Sequence, residues 1–157
     1  MRKLLIISGS PRVLRNPVQP IPAIQRFDGI ITRTVKKYYE QISNIDVLIV
    51  SPVYGLIKAE EKISFKEPAC GNWHKLKLSK EHVSYLKERN LSILQNLLQR
   101  RKYDEIYVNV GKNLLKIIEG FDKVVPRSTK ITYAEGSGIG PKMAHMKKWI
   151  EANIQAI

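Results

Sequence analysis

Two short apolar runs, residues 4–7 (LLII) and 47–50 (VLIV), constrain the fold of this chain more than any other feature. Neither alternates apolar with polar side chains, and each stops at a polar turn containing proline: Ser8-Gly9-Ser10-Pro11 after the first, Ser51-Pro52 after the second. A strand that is apolar at successive positions is buried on both faces, as in the middle of a mostly parallel sheet covered by helices on both sides. Between the runs, residues 10–22 hold four prolines and read as a loop. Residues 23–42 then carry Ile24, Phe27, Ile31, Val35, Tyr38 and Ile42 at helical spacing, which predicts one amphipathic helix. Strand, helix, strand in this order implies a right-handed crossover and parallel pairing.

The alternation continues downstream. Residues 52–78 lack a regular period. Ser79 caps a predicted helix whose stripe of Val83, Leu86, Leu91, Leu94, Leu97 and Leu98 runs to a basic end, Arg100-Arg101-Lys102. A strand over 105–110, a short helix over 112–121, short strands over 123–125 and 130–133, and a closing helix over 141–154 complete the pattern. The expectation is a single α/β domain over residues 1–157, a three-layer α/β/α architecture with a mostly parallel central sheet of four to five strands.

At 157 residues and 43% hydrophobic content, the chain is long enough to bury a core without staples. A lone Cys70 excludes an internal disulfide, and His74, His82 and His145 do not supply the spacing of a structural zinc site, so no metal is expected. No apolar run approaches the roughly 18 residues of a membrane span, and the four-residue run after Met1-Arg2-Lys3 is too short for a signal peptide, so the expectation is a soluble cytoplasmic protein. Lys and Arg number 27 against 14 Asp and Glu, a net charge of +13. A surplus of one sign, spread over the 12–15 loop, residues 74–80, 100–102 and 127–148, points to a polyanionic partner such as nucleic acid.

In open parallel sheets ligands bind beyond the carboxyl ends of the strands, so those segments supply the candidate site. After the first strand, Ser8, Gly9 and Ser10 offer hydroxyls and amides, while Arg12 and Arg15, with Asn16, offer forked donors for phosphate or carboxylate. A plain strand-exit turn with solvated arginines is the alternative. After the second strand come Pro52, Tyr54 and Gly55, with Glu60 and Glu61 beyond; Tyr54 suits stacking on a planar base, and Glu61 is the acid/base candidate, against packing and surface charge. Trp73 suits stacking or pinning a loop to the core. Gly136-Ser137-Gly138-Ile139-Gly140-Pro141-Lys142 reads either as an anion-binding turn at a helix N-terminus or as a turn only. Arg127, Lys130 and Lys142, with Arg100, Arg101 and Lys102, are the candidate phosphate contacts. The glycine spacing matches neither the dinucleotide fingerprint nor a P-loop, and no nucleophile triad is legible.

Two family resemblances rest on these residues. Ile6 to Arg12 (ISGSPR) and Asp46 to Gly55 (DVLIVSPVYG) resemble flavodoxin-like, NADPH-dependent FMN reductases, which implies a flavin phosphate at the first motif and its ring at the second. One helix separates the motifs here, where that fold has a further strand. The longer resemblance covers roughly residues 4–111: Ser8 to Arg12, Ser51-Pro52, Gly55-Leu56-Ile57 with Glu60-Glu61, Pro68 to Trp73 and Tyr103 to Ile106. It is to the core domain of archaeal tRNA-modification proteins of the archaeosine synthase type, relatives of tRNA-guanine transglycosylase. This resemblance implies tRNA as partner and a deazaguanine-type base or nucleotide at the strand ends. It further implies a freestanding core that acts with a separate transglycosylase-like or PUA-containing partner protein or binds RNA through its own basic surface; no cofactor is expected, with FMN under the reductase resemblance. The family's Pro-Cys motif at the first strand end is replaced by Ser-Gly-Ser-Pro-Arg, which fits a noncatalytic RNA-binding subunit with a degenerate pocket as a further reading.

Overall fold

The computed structural model describes residues 2–10, 13, 19–63 and 79–154. Its elements are β1 (Arg2–Ser8), β2 (Ile21–Pro22), α1 (Ala23–Arg26), α2 (Ile30–Tyr38), β3 (Ile45–Ser51), β4 (Gly55–Lys58) and β5 (Lys62–Ile63). There follow α3 (Lys80–Arg100), β6 (Tyr103–Asn109), α4 (Lys112–Leu115), α5 (Phe121–Val124), β7 (Lys130–Tyr133) and α6 (Ile139–Asn153). The central sheet has five strands in the order β4-β3-β1-β6-β7. All neighbours are parallel except β4, which folds back antiparallel on β3 as an edge. A separate two-stranded ribbon pairs β2 with β5.

The two apolar runs form the centre. Leu4, Leu5, Ile6 and Ile7 are fully buried in β1, between β3 and β6, and Val47 to Val50 are buried beside them. Because adjacent side chains of one strand point to opposite faces, both faces need a cover. α2 packs with α6, while α3 packs against α5 and the 3-10 turn (Lys116–Ile118) that follows α4. Right-handed crossovers place these two groups on opposite faces, giving the three layers. The parallel strands run second, first, third, fourth across the sheet, so the winding direction reverses between β1 and β6.

Several boundaries differ from the sequence reading. The single helix expected over 23–42 is divided: Phe27 leaves helical geometry at the end of α1, and α2 restarts after Asp28-Gly29. Tertiary packing decides this, because the Phe27 ring lies under β1's exit and a Cβ on Gly9 would come within 3.0 Å of it. The Thr32 hydroxyl holds the break by accepting from the Gly29 N–H at 3.1 Å and lying 3.1 Å from the Phe27 carbonyl. The helix expected over 112–121 is likewise cut, with Gly120 in the left-handed region at φ 91°. The strand expected over 123–125 is absent, since Lys123 and Val124 close α5. The aperiodic stretch after Pro52 contains β4, whose first three residues are all buried, and β5. Among the described residues no helix is long and apolar enough to cross a membrane.

Candidate functional site

The carboxyl ends of β1, β3, β6 and β7 define one edge of the sheet, and the predicted strand-end residues meet there. At the reversal between β1 and β6, the Ser8 hydroxyl accepts from the Gly111 N–H at 3.1 Å. The Gly9 N–H donates to the Val50 carbonyl at 2.9 Å, extending the ladder past β1. The space beside Gly9 is filled by Phe27, and Ser10 sits so close to Gly29 that a Cβ there would be 2.4 Å from the serine Cβ. Ser51 is fully buried, and its hydroxyl accepts from the Val53 and Tyr54 N–H groups at 3.0 and 3.2 Å, which folds the 51–55 turn. Gly55 has φ 70°, and a Cβ on it would meet the Asn90 carboxamide oxygen at 2.5 Å. Ser8, Gly9 and Gly55, predicted as ligand contacts, are thus engaged in holding the edge together. At Gly9 and Gly55, the two glycines of the reductase resemblance, the space that a Cβ would take is met by Phe27 and Asn90.

Among the described residues, part of what this edge presents outward comes from α3. Its first turn is capped by the Ser79 hydroxyl, which accepts from the His82 N–H at 3.1 Å. His82 Nε2 lies 2.7 Å from the Pro52 carbonyl, and the Arg89 guanidinium donates to the Tyr54 carbonyl. Next to Arg89, fully buried Asn90 accepts from the Leu56 N–H and donates to the Ile117 carbonyl, both at 2.8 Å, tying β4 to the 3-10 turn after α4. Residues 82 and 89 are two turns apart on one helix face, with residue 85 beside them. Tyr85 is 64% exposed and Val53, on the clamped turn, is 38% exposed. Tyr54, the predicted stacking residue, is instead half-buried and packed against the core. Tyr85 was not among the sequence candidates. Its signal is its phase, off the Val83, Leu86, Leu94 stripe, which leaves an aromatic ring on the wet side of an otherwise polar helix face.

Other predicted residues lie elsewhere. Gly138 and Lys142 are on the same edge, at the start of α6. Gly136 is excluded from carrying a side chain by Pro141, 2.4 Å from where its Cβ would be, whereas Gly138 faces open space. Arg100, Arg101, Lys102, Arg127 and Lys130 are at or just before the amino ends of β6 and β7, the opposite edge, roughly 20 Å away over a seven-residue strand. Arg101 is spent there on Asp46 at 2.8 Å. Glu61 is exposed beyond the far end of β4 and its backbone carbonyl accepts from Ala23, so the structure separates it from the 51–55 turn. Arg12, Arg15, Asn16 and Trp73 lie outside the described residues.

Two further polar clusters are structural. At the amino edge Asp46 accepts from Arg2, Arg101 and the Tyr103 hydroxyl, the last at 2.6 Å. Burial works to raise the Asp46 carboxyl, but these hydrogen bonds outweigh it and hold it below the usual range. On the α6 side the Tyr107 hydroxyl is 2.7 Å from His145 Nδ1, and His145 Nε2 is 3.8 Å from Glu135. The order carboxylate, imidazole, hydroxyl resembles a relay, yet Tyr107 is fully buried and stacked on Trp149 at 4.7 Å, so no substrate reaches it. Burial, followed by Glu135 and Glu105, raises the Tyr107 phenol.

Comparison with known proteins gives a likeness of fold. No family model and no curated protein matches the chain. Among solved structures it is similar to the crystal structure of AF0587, a protein of unknown function, with a TM-score of 0.53 and 14% identity over 95% of this chain. The chain spans 44% of the length of that protein.

Proposed function

We propose that this chain is the RNA-binding α/β domain of a tRNA-modification system of the deazaguanine (archaeosine) type, presenting the carboxyl edge of its sheet to tRNA. The observation that carries the reading is the exposed Tyr85 on the helix that clamps the 51–55 turn, with His82, Arg89, Glu81 and Glu88 as its helical neighbours, in a chain of net charge +13. An exposed aromatic ring offers stacking to every base of single-stranded or looped RNA, and a surplus of Lys and Arg over the whole chain neutralises phosphate. The pathway comes from the resemblance in the strand-end motifs. The replacement of the family's Pro-Cys motif by Ser-Gly-Ser-Pro-Arg at the first strand end favours binding over catalysis by this chain, with chemistry supplied by a partner protein.

The test is a filter-binding titration of unmodified tRNA against salt. Binding is expected at low salt, with an affinity that falls linearly on a log–log plot as salt rises. Absent binding at low salt, or salt-independent binding, overturns the reading. Mass spectrometry of tRNA nucleosides from cells lacking the protein then tests the pathway, with loss of one deazaguanine nucleoside as the expected result.

A further inference from the structure

α3 and the segment after α4 enclose an open trough of about 360 Å³ lined by Lys80, Val83, Ser84, Lys87, Lys116 and Glu119. The α3 residues recur at i, i+3, i+4 and i+7, one face of the helix, and Lys116 and Glu119 face them from the 3-10 turn and its exit. Three lysines and one serine therefore line a single concavity with one glutamate. That carboxylate, Glu119, lies 3.9 Å from Lys87. Among the described residues, neither Lys80 nor Lys116 pairs with an acidic side chain. The lysine stems and Val83 give the trough apolar walls, and a phosphoryl group satisfies several ammonium donors at once.

We infer that this trough is a phosphate-binding subsite for a nucleotide, with Lys80 and Lys116 as its principal donors and Lys87 and Ser84 beside them. The volume lies in the range of small-ligand pockets. Lys80 and Lys87 are two turns apart, about 10 Å along the helix axis, a span that suits more than one phosphoryl group. Lys80 opens α3 at the same edge as the Pro52 contact of His82, with the trough on the face of the helix opposite to residues 82, 85 and 89. As a contact for an RNA strand the trough rests on the function proposed above; as a phosphate subsite it does not.

Two arms separate those sources. In the first, pyrophosphate is titrated into the full chain and amide chemical shifts are followed by NMR. Saturable shifts at residues 80–87 and 116–119 are expected, and are lost in a Lys80→Gln/Lys116→Gln variant; unmoved amides overturn the trough as a phosphate site. In the second, a single-stranded oligoribonucleotide is bound at several salt concentrations. The double variant is expected to bind at least fivefold more weakly, with a log–log salt slope shallower by about 1.4, the loss of two contacts. An Arg127→Gln/Lys130→Gln variant, altered at the opposite edge, is expected to match the native chain. If the native chain binds the oligonucleotide and the Lys80/Lys116 variant keeps its affinity and slope, the trough is overturned as an RNA contact and the RNA function stands. If pyrophosphate binds and RNA does not, the trough stands as a free-nucleotide subsite and the RNA function fails.

Discussion

Gly55 and Asn90 show how one atom's absence organises the strand edge. The glycine's left-handed backbone and missing Cβ let the Asn90 carboxamide approach and take the Leu56 N–H. Gly55→Ala is expected to lower stability by about 2–4 kcal/mol, combining a left-handed penalty with a displaced buried carboxamide. Urea denaturation measures it, and a change under about 0.5 kcal/mol, the range of ordinary surface substitutions, would contradict the packing described. Tyr85 is the converse case, a large ring that the fold leaves outside. Tyr85→Ala is expected to weaken tRNA binding by about 5- to 100-fold, the worth of one stacked base, with an unchanged denaturation midpoint. Tyr85→Phe keeps the ring and should bind within about twofold of the native chain, because stacking needs the face and not the hydroxyl. Neither residue's role is legible in the linear chain: Gly55 reads as one more turn glycine until α3 is laid against it, and Tyr85 is distinguished only by facing away from its neighbours' stripe.

At the level of elements, the three central strands are joined at their amino ends by Asp46 in β3, which takes hydrogen bonds from Arg2 of β1, Tyr103 of β6 and Arg101 just before it. The Asp46 carboxyl has a folded pKa below its unfolded value of about 3.9. Its contribution to stability is therefore complete above that unfolded value and is lost as pH falls through the folded one. Asp46→Asn is expected to cost about 1–2 kcal/mol at neutral pH, tempered by the partial exposure of both arginines, and to show a smaller drop in thermal midpoint between about pH 5 and pH 2. Equal acid slopes for the two proteins would refute the linkage. The elements themselves were recoverable from sequence where the pattern was long, as for α3, or uninterrupted, as for β1 and β3. They were not where local signals conflict: the 23–42 periodicity continues through Asp28-Gly29 although the chain breaks there, and β4 is too short for any period to register.

For the whole molecule, the distribution of charge matters more than its sum. Part of the basic surplus is consumed at the amino edge, where Arg2 and Arg101 meet Asp46 and Lys3 meets Asp104 and Glu105. The carboxyl edge and the α3 trough carry cations together with an exposed ring. The two edges lie at opposite ends of the same strands, so basic residues that look equivalent along the chain belong to different surfaces. Burial of two unbroken apolar runs is a property of composition and order, and any chain carrying them has to cover both faces of a strand pair. The α/β class, the parallel pairing and the polar turns at the strand ends accordingly follow from the residues in line. Which polar groups remain available at those turns depends on contacts between segments tens of residues apart: Phe27 under Gly9, Asn90 against Gly55, Gly111 on Ser8. Folding placed those partners, and it left the Tyr85 ring of α3 outside.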